Sequence, residues 1–295
     1  MLNFKKIELE DKEWIDECLK QADYRGCEYS FGCNYIWRNI YHIMGCKVNG
    51  FYCTFAGEEG NKYYNYPAGS GDIKEVISLL MEDAKERNIP FVLRGMTKEQ
   101  VNTLEELFPD TFEFELKRDE SDYIYAVDKM TSLAGKKLHG KRNHIARFKD
   151  CKDWEYVQIN EDNINECIEM NKKWCSHYDC HSKPGLKEEM CAVDQAIIHF
   201  KELGFVGGFI RREGEVVAYS IGEPLSSDTF VVHIEKAFHD IQGAYPMINQ
   251  QFIEHNCQQF TYVNREDDTG NEGLRKAKMS YYPEIILDKY KATLK

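Results

Sequence analysis

The stretch FVGGFIRREGEVVAYSIGEPLSSDTFVVHIEKA, Phe205 to Ala237, decides the fold. Apolar, β-branched and aromatic residues fill Phe205–Arg211, Val216–Pro224 and Thr229–Ala237, which predicts three strands in succession. The polar run Arg212-Glu213-Gly214-Glu215 is a tight turn between the first two. Upstream, Trp154–Ile159 reads as a strand. Asp162–His177 reads as a helix with Ile164, Cys167, Ile168, Asn171 and Trp174 inward, and Glu188–Leu203 as another. Downstream come a helix over Tyr245–Asn256 with Pro246 in its first turn, a strand at Phe260–Asn264, a helix at Glu272–Met279 and a final strand at Glu284–Tyr290.

The N-terminal half follows similar grammar. Trp14, Ile15, Cys18 and Leu19 have helical spacing within Asp11–Gln21, and Phe31–Tyr41 is an aromatic-rich helix. Cys46–Phe55 and Tyr63–Pro67 read as strands around the polar turn Gly57–Asn61. Asp72 caps a helix through Asn88 whose stripe is Ile73, Val76, Ile77, Leu80 and Ala84. Phe91–Arg94 is a strand, Thr97 caps a helix to Leu107, and Phe112–Leu116 and Tyr123–Val127 are strands. The expectation is α/β with mixed sheets, in two tandem domains at 1–130 and 131–295.

The 295 residues carry a net charge of −12, which argues against a general nucleic-acid coat protein. The segment Lys136–Lys149, KKLHGKRNHIARFK, holds six positive residues and no acid, leaving −18 for the rest. It reads either as a solvated helix face or linker, or as an anion-binding helix. Lys137, Lys141 and His144 share one face, and Arg142 adds charge. No apolar run approaches the roughly 18 residues of a membrane span, and the start MLNFKKIELEDKEW lacks a signal segment. With 11 cysteines, an odd count without paired knuckles, the expected setting is a reducing cytoplasm.

Two stretches resemble the phosphatidylglycerol lysyltransferase C-terminal-domain family. One is Asp122–Tyr125 followed by Leu133–Ile145; the other is Asn264–Gly270 with Glu272–Lys278 and Ser280–Pro283. The second half also looks like a GNAT (N-acetyltransferase) domain. The resemblance implies two GNAT-like acyltransferase domains in tandem, and transfer of an aminoacyl group from aminoacyl-tRNA, or of an acyl group from acyl-CoA, to an acceptor. No tightly bound cofactor or metal is implied. The family's founding enzymes carry a membrane-spanning half in front of this domain; none is expected here, which weakens the link to a lipid acceptor. The GNAT pyrophosphate loop, (Gln/Arg)-x-x-Gly-x-(Gly/Ala), is also not matched. Here the loop reads His239-Asp240-Ile241-Gln242-Gly243-Ala244-Tyr245-Pro246, with an acid three residues before Gly243.

Acyl transfer needs a deprotonated nucleophile, a stabilised oxyanion and a positioned leaving group. The catalytic candidates are Glu235, Glu266 and Asp268. In GNAT-like enzymes a carboxylate on the strand holding Glu235 often serves as base, and alternation puts His233 on the same face. Arg265, Glu266, Asp267 and Asp268 are four charges in a row, so they form a structural network or face a ligand. Candidate substrate- or donor-binding residues are Lys137, Lys141, Arg142, His144, Asn264, Arg265, Asp267, Arg275 and Lys278. Tyr281 and Tyr282 are further candidates for protonating a leaving group. Cys175, His177, Cys180 and His181 fall close together but are contiguous, unlike two separated zinc knuckles, so free thiols are expected. The expected partners are tRNA or another phosphate-bearing donor, with peripheral contact to anionic lipid as a further reading. The alternative to catalysis is an anion- or nucleotide-binding descendant of the same fold.

Overall fold

The computed structural model describes residues 1–179 and 184–295. In chain order the first half contains β1 (Lys5–Lys6), α1 (Lys12–Ala22), α2 (Phe31–Trp37), β2 (Met44–Val48), β3 (Phe51–Ala56), β4 (Tyr63–Asn65), β5 (Ala68–Gly69), α3 (Ile73–Glu86), β6 (Val92–Met96), α4 (Lys98–Leu107) and β7 (Phe112–Leu116). Then follow β8 (Asp122–Ala126), α5 (Val127–Ser132), α6 (His139–Asp150), β9 (Trp154–Gln158), α7 (Asn165–Tyr178), α8 (Pro184–Ile198), α9 (Phe200–Leu203), β10 (Val206–Arg212), β11 (Glu215–Pro224) and β12 (Thr229–Ala237). The chain closes with α10 (Ala244–Asn256), β13 (Tyr262–Asn264), α11 (Glu272–Met279), β14 (Ile285–Leu287) and β15 (Tyr290–Leu294).

Two compact units result. Unit 1 is Met1–Tyr123, Glu266–Lys278 and Ile285–Lys295; unit 2 is Ile124–Arg265 and Met279–Glu284. This corrects the division at residue 130, because the C-terminal segments do not stay with the second half. The physical reason is β15, which inserts between β6 and β7 and pairs antiparallel with both, Tyr290 opposite Met96 on one side and Leu116 on the other. A sheet interior offers that strand hydrogen bonds along both edges.

The sheet of unit 1 runs β1-β2-β3-β4-β6-β15-β7, with β5 beside β3. Asp72 accepts from the amides of Lys74 and Glu75 and so starts α3, whose Val76, Ile77, Leu80 and Ala84 pack on Phe55, Tyr64, Phe91, Leu93 and Ala292. Thr97 and Gln100 close a reciprocal capping box on α4. The expected single strand at Cys46–Phe55 is instead the hairpin β2–β3. Asn49 and Gly50, at φ 47° and 88°, supply the left-handed pair that a two-residue turn needs.

In unit 2 the strand order is β8-β13-β12-β11-β10-β9. Strands β9 to β12 are antiparallel neighbours, while β12 and β13 are parallel. That parallel pairing covers only Thr229–Val231 against Tyr262–Asn264, so the two strands part company beyond Val231. The β11–β12 register also shifts there, between Ile221 and Gly222, and His233 is passed over. Gly222 is required at the irregularity, since a Cβ would lie 2.1 Å from the Val231 carbonyl oxygen. The helix expected over Glu188–Leu203 begins at Pro184 and breaks at His199 into α8 and α9.

Candidate active site

In unit 2, four stretches far apart in sequence bring charged and aromatic groups together. Glu235 stands on the half of β12 that β13 no longer pairs. Its Oε1 accepts from Arg265 Nη2 at 2.8 Å and its Oε2 from Asn249 Nδ2 of α10 at 2.8 Å. Arg265 follows the last residue of β13, and its guanidinium lies 5.1 Å from the Tyr281 ring centre and 5.7 Å from that of Tyr125. Lys141, in the first turn of α6, places Nζ 3.9 Å from the Tyr281 ring centre. Tyr125 and Tyr281 meet edge to face at 6.4 Å.

The electrostatics differ sharply among these groups. Burial and the neighbouring Arg265 charge push the Lys141 ammonium down to about 8, against the pull of Glu235. For Arg265, burial acts downward, but Glu235 overcomes it and keeps the guanidinium charged. Burial drives the Tyr281 hydroxyl upward, away from ionisation. The cluster therefore has one permanent cation, Arg265, one acid, Glu235, and one amine, Lys141, that titrates at about 8.

The other residues of the basic segment have varied placements, and Lys137 lies in the turn before α6, so it does not share a helix face with Lys141 and His144 as expected. Lys137 Nζ lies 5.0 Å from the Tyr282 ring centre. Arg142 Nη1 donates to the carbonyls of Leu133 and Gly135 and thus ties the loop ahead of α6. The His144 side chain is exposed, while its backbone carbonyl packs on Gly243 at the start of α10. A Cβ at Gly243 would lie 2.2 Å from that oxygen and 3.0 Å from Phe148 Cβ. Helix α6 thus packs against the N-terminus of α10.

His233 is held apart from Glu235. Its Nε2 is 2.9 Å from Glu223 Oε1 and its ring packs on Phe205, whereas Glu235 engages Asn249 and Arg265. The irregular register at His233 is why simple alternation misassigned the pair.

The remaining loop candidates belong to unit 1. Asp268 is fully buried, and Arg275 grips it from Nε at 2.7 Å and Nη2 at 2.8 Å. The Tyr123 hydroxyl and the Gly270 amide also donate to it. Burial alone would raise this carboxyl, but those donors win and hold it at about 2. A carboxylate so saturated is a poor proton acceptor, so the candidate base role of Asp268 is replaced by a scaffolding one. Arg275 is occupied by Asp268 and by Asp119, at 2.7 Å, rather than left for a donor phosphate. Lys278 donates to the Asp267 carbonyl. Glu266 is half-buried in the left-handed region at φ 56°, its carbonyl accepting from the Tyr123 amide. Asn264, by contrast, belongs to unit 2 and is fully buried at the end of β13.

Sequence reasoning missed a second network in unit 1. Lys289, 4% exposed, donates to Asp122 Oδ1 at 2.8 Å and pairs with Glu28 Oε2 at 2.7 Å. Cys27 donates its amide to Asp122 Oδ2 at 2.8 Å. Cys27, Glu28 and Asp122 have the ligand types and closeness of a metal site, but the Lys289 ammonium supplies the positive charge there. Next to them, burial with the Asp122 and Glu266 charges raises Asp267 to about 7, against Lys289 and Lys278. A single lysine between two short strands carries no sequence signal of this role. Of the four residues weighed as zinc ligands, Cys180 and His181 lie outside the described residues, and the His177 ring packs on Tyr178 and Phe238.

These features define the class: two α/β units, each built on a mixed sheet. The chain belongs to the family described as phosphatidylglycerol lysyltransferase, C-terminal, whose model matches residues 19–293. It is similar to a conserved protein of unknown function from Bacteroides thetaiotaomicron VPI-5482, with 38% identity, full coverage of both chains and a TM-score of 0.96. The L-PGS structure from Bacillus licheniformis shares the fold at 14% identity and a TM-score of 0.68, over 99% of this chain and 93% of that one. An uncharacterized protein of Mycoplasmoides gallisepticum is 25% identical over 185 residues, 58% of this chain and 55% of that relative, so the match spans about half the relative's length. Among the described residues, no helix is long and apolar enough to cross a membrane.

Proposed function

We propose that this chain transfers an aminoacyl group from aminoacyl-tRNA to an acceptor, with the reaction at Glu235, Arg265, Lys141 and Tyr281 of unit 2. The observation that carries the reading is the convergence of these residues from four separate stretches, on the side of β12 where pairing with β13 ends at Val231. Attack on an ester carbonyl builds negative charge on its oxygen. A buried guanidinium, fixed by Glu235, which Asn249 holds in turn, is a preorganised counter-charge for it. The rest of the basic segment, with Lys137 in the turn before α6, is suited to the phosphodiesters of a tRNA end. Acyl-CoA is the less favoured donor, because α6 packs across the α10 N-terminus at Gly243, the GNAT pyrophosphate position.

The test is transfer of radiolabelled amino acid from a panel of aminoacyl-tRNAs to amine-bearing peptides and to phosphatidylglycerol vesicles, with acetyl-CoA as a parallel donor. Arg265→Lys should lose at least about 100-fold in rate, the scale of one oxyanion donor. Consumption of acetyl-CoA but of no aminoacyl-tRNA would overturn the choice of donor. Binding of tRNA with no turnover, undiminished by Glu235→Gln, would favour the non-catalytic descendant.

A further inference from the structure

We infer that Lys141 is the proton shuttle of this site: its ε-amine takes the proton from the attacking acceptor and delivers it to the leaving oxygen. This rests on the transferase reading above and adds a catalytic residue to it. The geometry leaves one group in the cluster able to exchange a proton. Arg265 stays charged, held by Glu235. Both oxygens of Glu235 are engaged, one by Arg265 and one by Asn249. The Tyr281 hydroxyl is pushed away from ionisation by burial. Lys141 is half-buried over the Tyr281 ring, and among the described residues no hydrogen-bond acceptor holds its Nζ. The charged and titratable groups facing it are Arg265, which disfavours the ammonium, Glu235, which favours it, and Tyr281. The resulting value of about 8 lets either form be present near neutral pH, the condition under which one group serves as base and then as acid.

The step balances as follows. The acceptor heteroatom, a hydroxyl or neutral amine, bonds to the ester carbonyl carbon while its proton passes to the neutral Lys141 Nζ. The bond between that carbon and the terminal ribose oxygen of the tRNA then breaks. The Lys141 ammonium gives the proton to the departing oxygen, so the tRNA leaves as a free hydroxyl and the amine returns to its starting state.

The discriminating variant is Lys141→Arg, which keeps the charge but cannot exchange a proton. Single-turnover transfer should fall at least about 100-fold, the usual scale of general acid–base catalysis, with tRNA affinity near wild type. The wild-type rate should depend on pH with an inflection near 8, absent from the variant's residual rate. The ¹³C signal of reductively methylated Lys141, identified by its loss in Lys141→Arg, should titrate below the other lysines. Wild-type transfer with an unimpaired Lys141→Arg, or with the same pH profile in both, would overturn the shuttle and leave the transferase reading standing. Absence of transfer by the wild type from every donor would overturn both. An ordinary lysine titration would overturn the shuttle whatever the activity.

Discussion

Replacing Asp268 with asparagine separates a scaffold from a catalytic base. In the native protein this fully buried carboxylate receives two bonds from Arg275 and one each from Tyr123 and the Gly270 amide. Asparagine keeps one acceptor, turns an NH₂ toward groups that donate, and leaves the guanidinium with Asp119 as its remaining carboxylate partner. Breaking a buried ion pair on one side costs roughly 3–5 kcal/mol. Arg275 is about one-third exposed, 33%, and can recover some hydration, so the lower end, about 3 kcal/mol, is expected. That is a large part of the roughly 5–15 kcal/mol of a whole domain. Urea unfolding followed by the fluorescence of Trp14 and Trp37, with Trp154 and Trp174 replaced by phenylalanine in both proteins, reads unit 1. The sign with pH is fixed as well. The folded carboxyl titrates at about 2, below its ordinary range, so its contribution is present above pH ~4 and fades as pH falls through about 2. Wild type and variant should converge there. A loss of transfer with less than about 0.5 kcal/mol of destabilisation would refute the scaffold assignment, since so small a change is within the range of a surface substitution.

The neighbouring Asp267 should behave in the opposite sense. Its carboxyl is raised to about 7, so it costs stability as pH climbs from ~4 through 7, and Asp267→Asn should flatten that decline in the same urea assay. Gly243→Ala should destabilise unit 2 by about 2–4 kcal/mol, combining a left-handed alanine with a clash against the His144 carbonyl, as read by calorimetry. Thr97→Ala should cost about 1 kcal/mol in thermal unfolding through loss of the α4 cap, with transfer unchanged. A chain ending at Asp288 should lose protection of the β6 and β7 amides in hydrogen exchange, since β15 pairs with both and Lys289 is gone.

Much of the element order was legible because its signals are local. The caps at Asp72 and Thr97, the stripe of α3 and the bounds of β12 and α11 follow from neighbouring residues and appear in the structure as read. Asn49-Gly50, itself a strong hairpin signal, was passed over because the apolar run on both sides reads as one strand. The assignment of β15 is different in kind. Nothing in Tyr290–Leu294 says that its partners lie nearly two hundred residues earlier; the pairing is fixed by which sheet has an open slot. For the site, the basic helix and the charged loop were both visible, but their division was not. Arg265 goes with Lys141 and Glu235 in unit 2, while Asp267, Asp268, Arg275 and Lys278 go to unit 1. Adjacent charges in sequence therefore have unrelated roles.

That division also limits which charges can serve chemistry. Asp267 and Asp268 are consecutive, yet their carboxyls titrate at about 7 and about 2. One lies among other acids around Lys289, and the other is enclosed by donors. Neither property singles out a group poised to take a proton from an acceptor: the first reflects burial with like charges nearby, the second saturation. Lys141 differs because its shift comes from burial on an aromatic face beside a guanidinium, with its own nitrogen not engaged by an acceptor among the described residues. A perturbed titration becomes a statement about function only when the group also has a free valence to use. By that criterion the helix that first stood out by charge alone matters through one lysine, whose proton, more than its charge, is what the reaction would use.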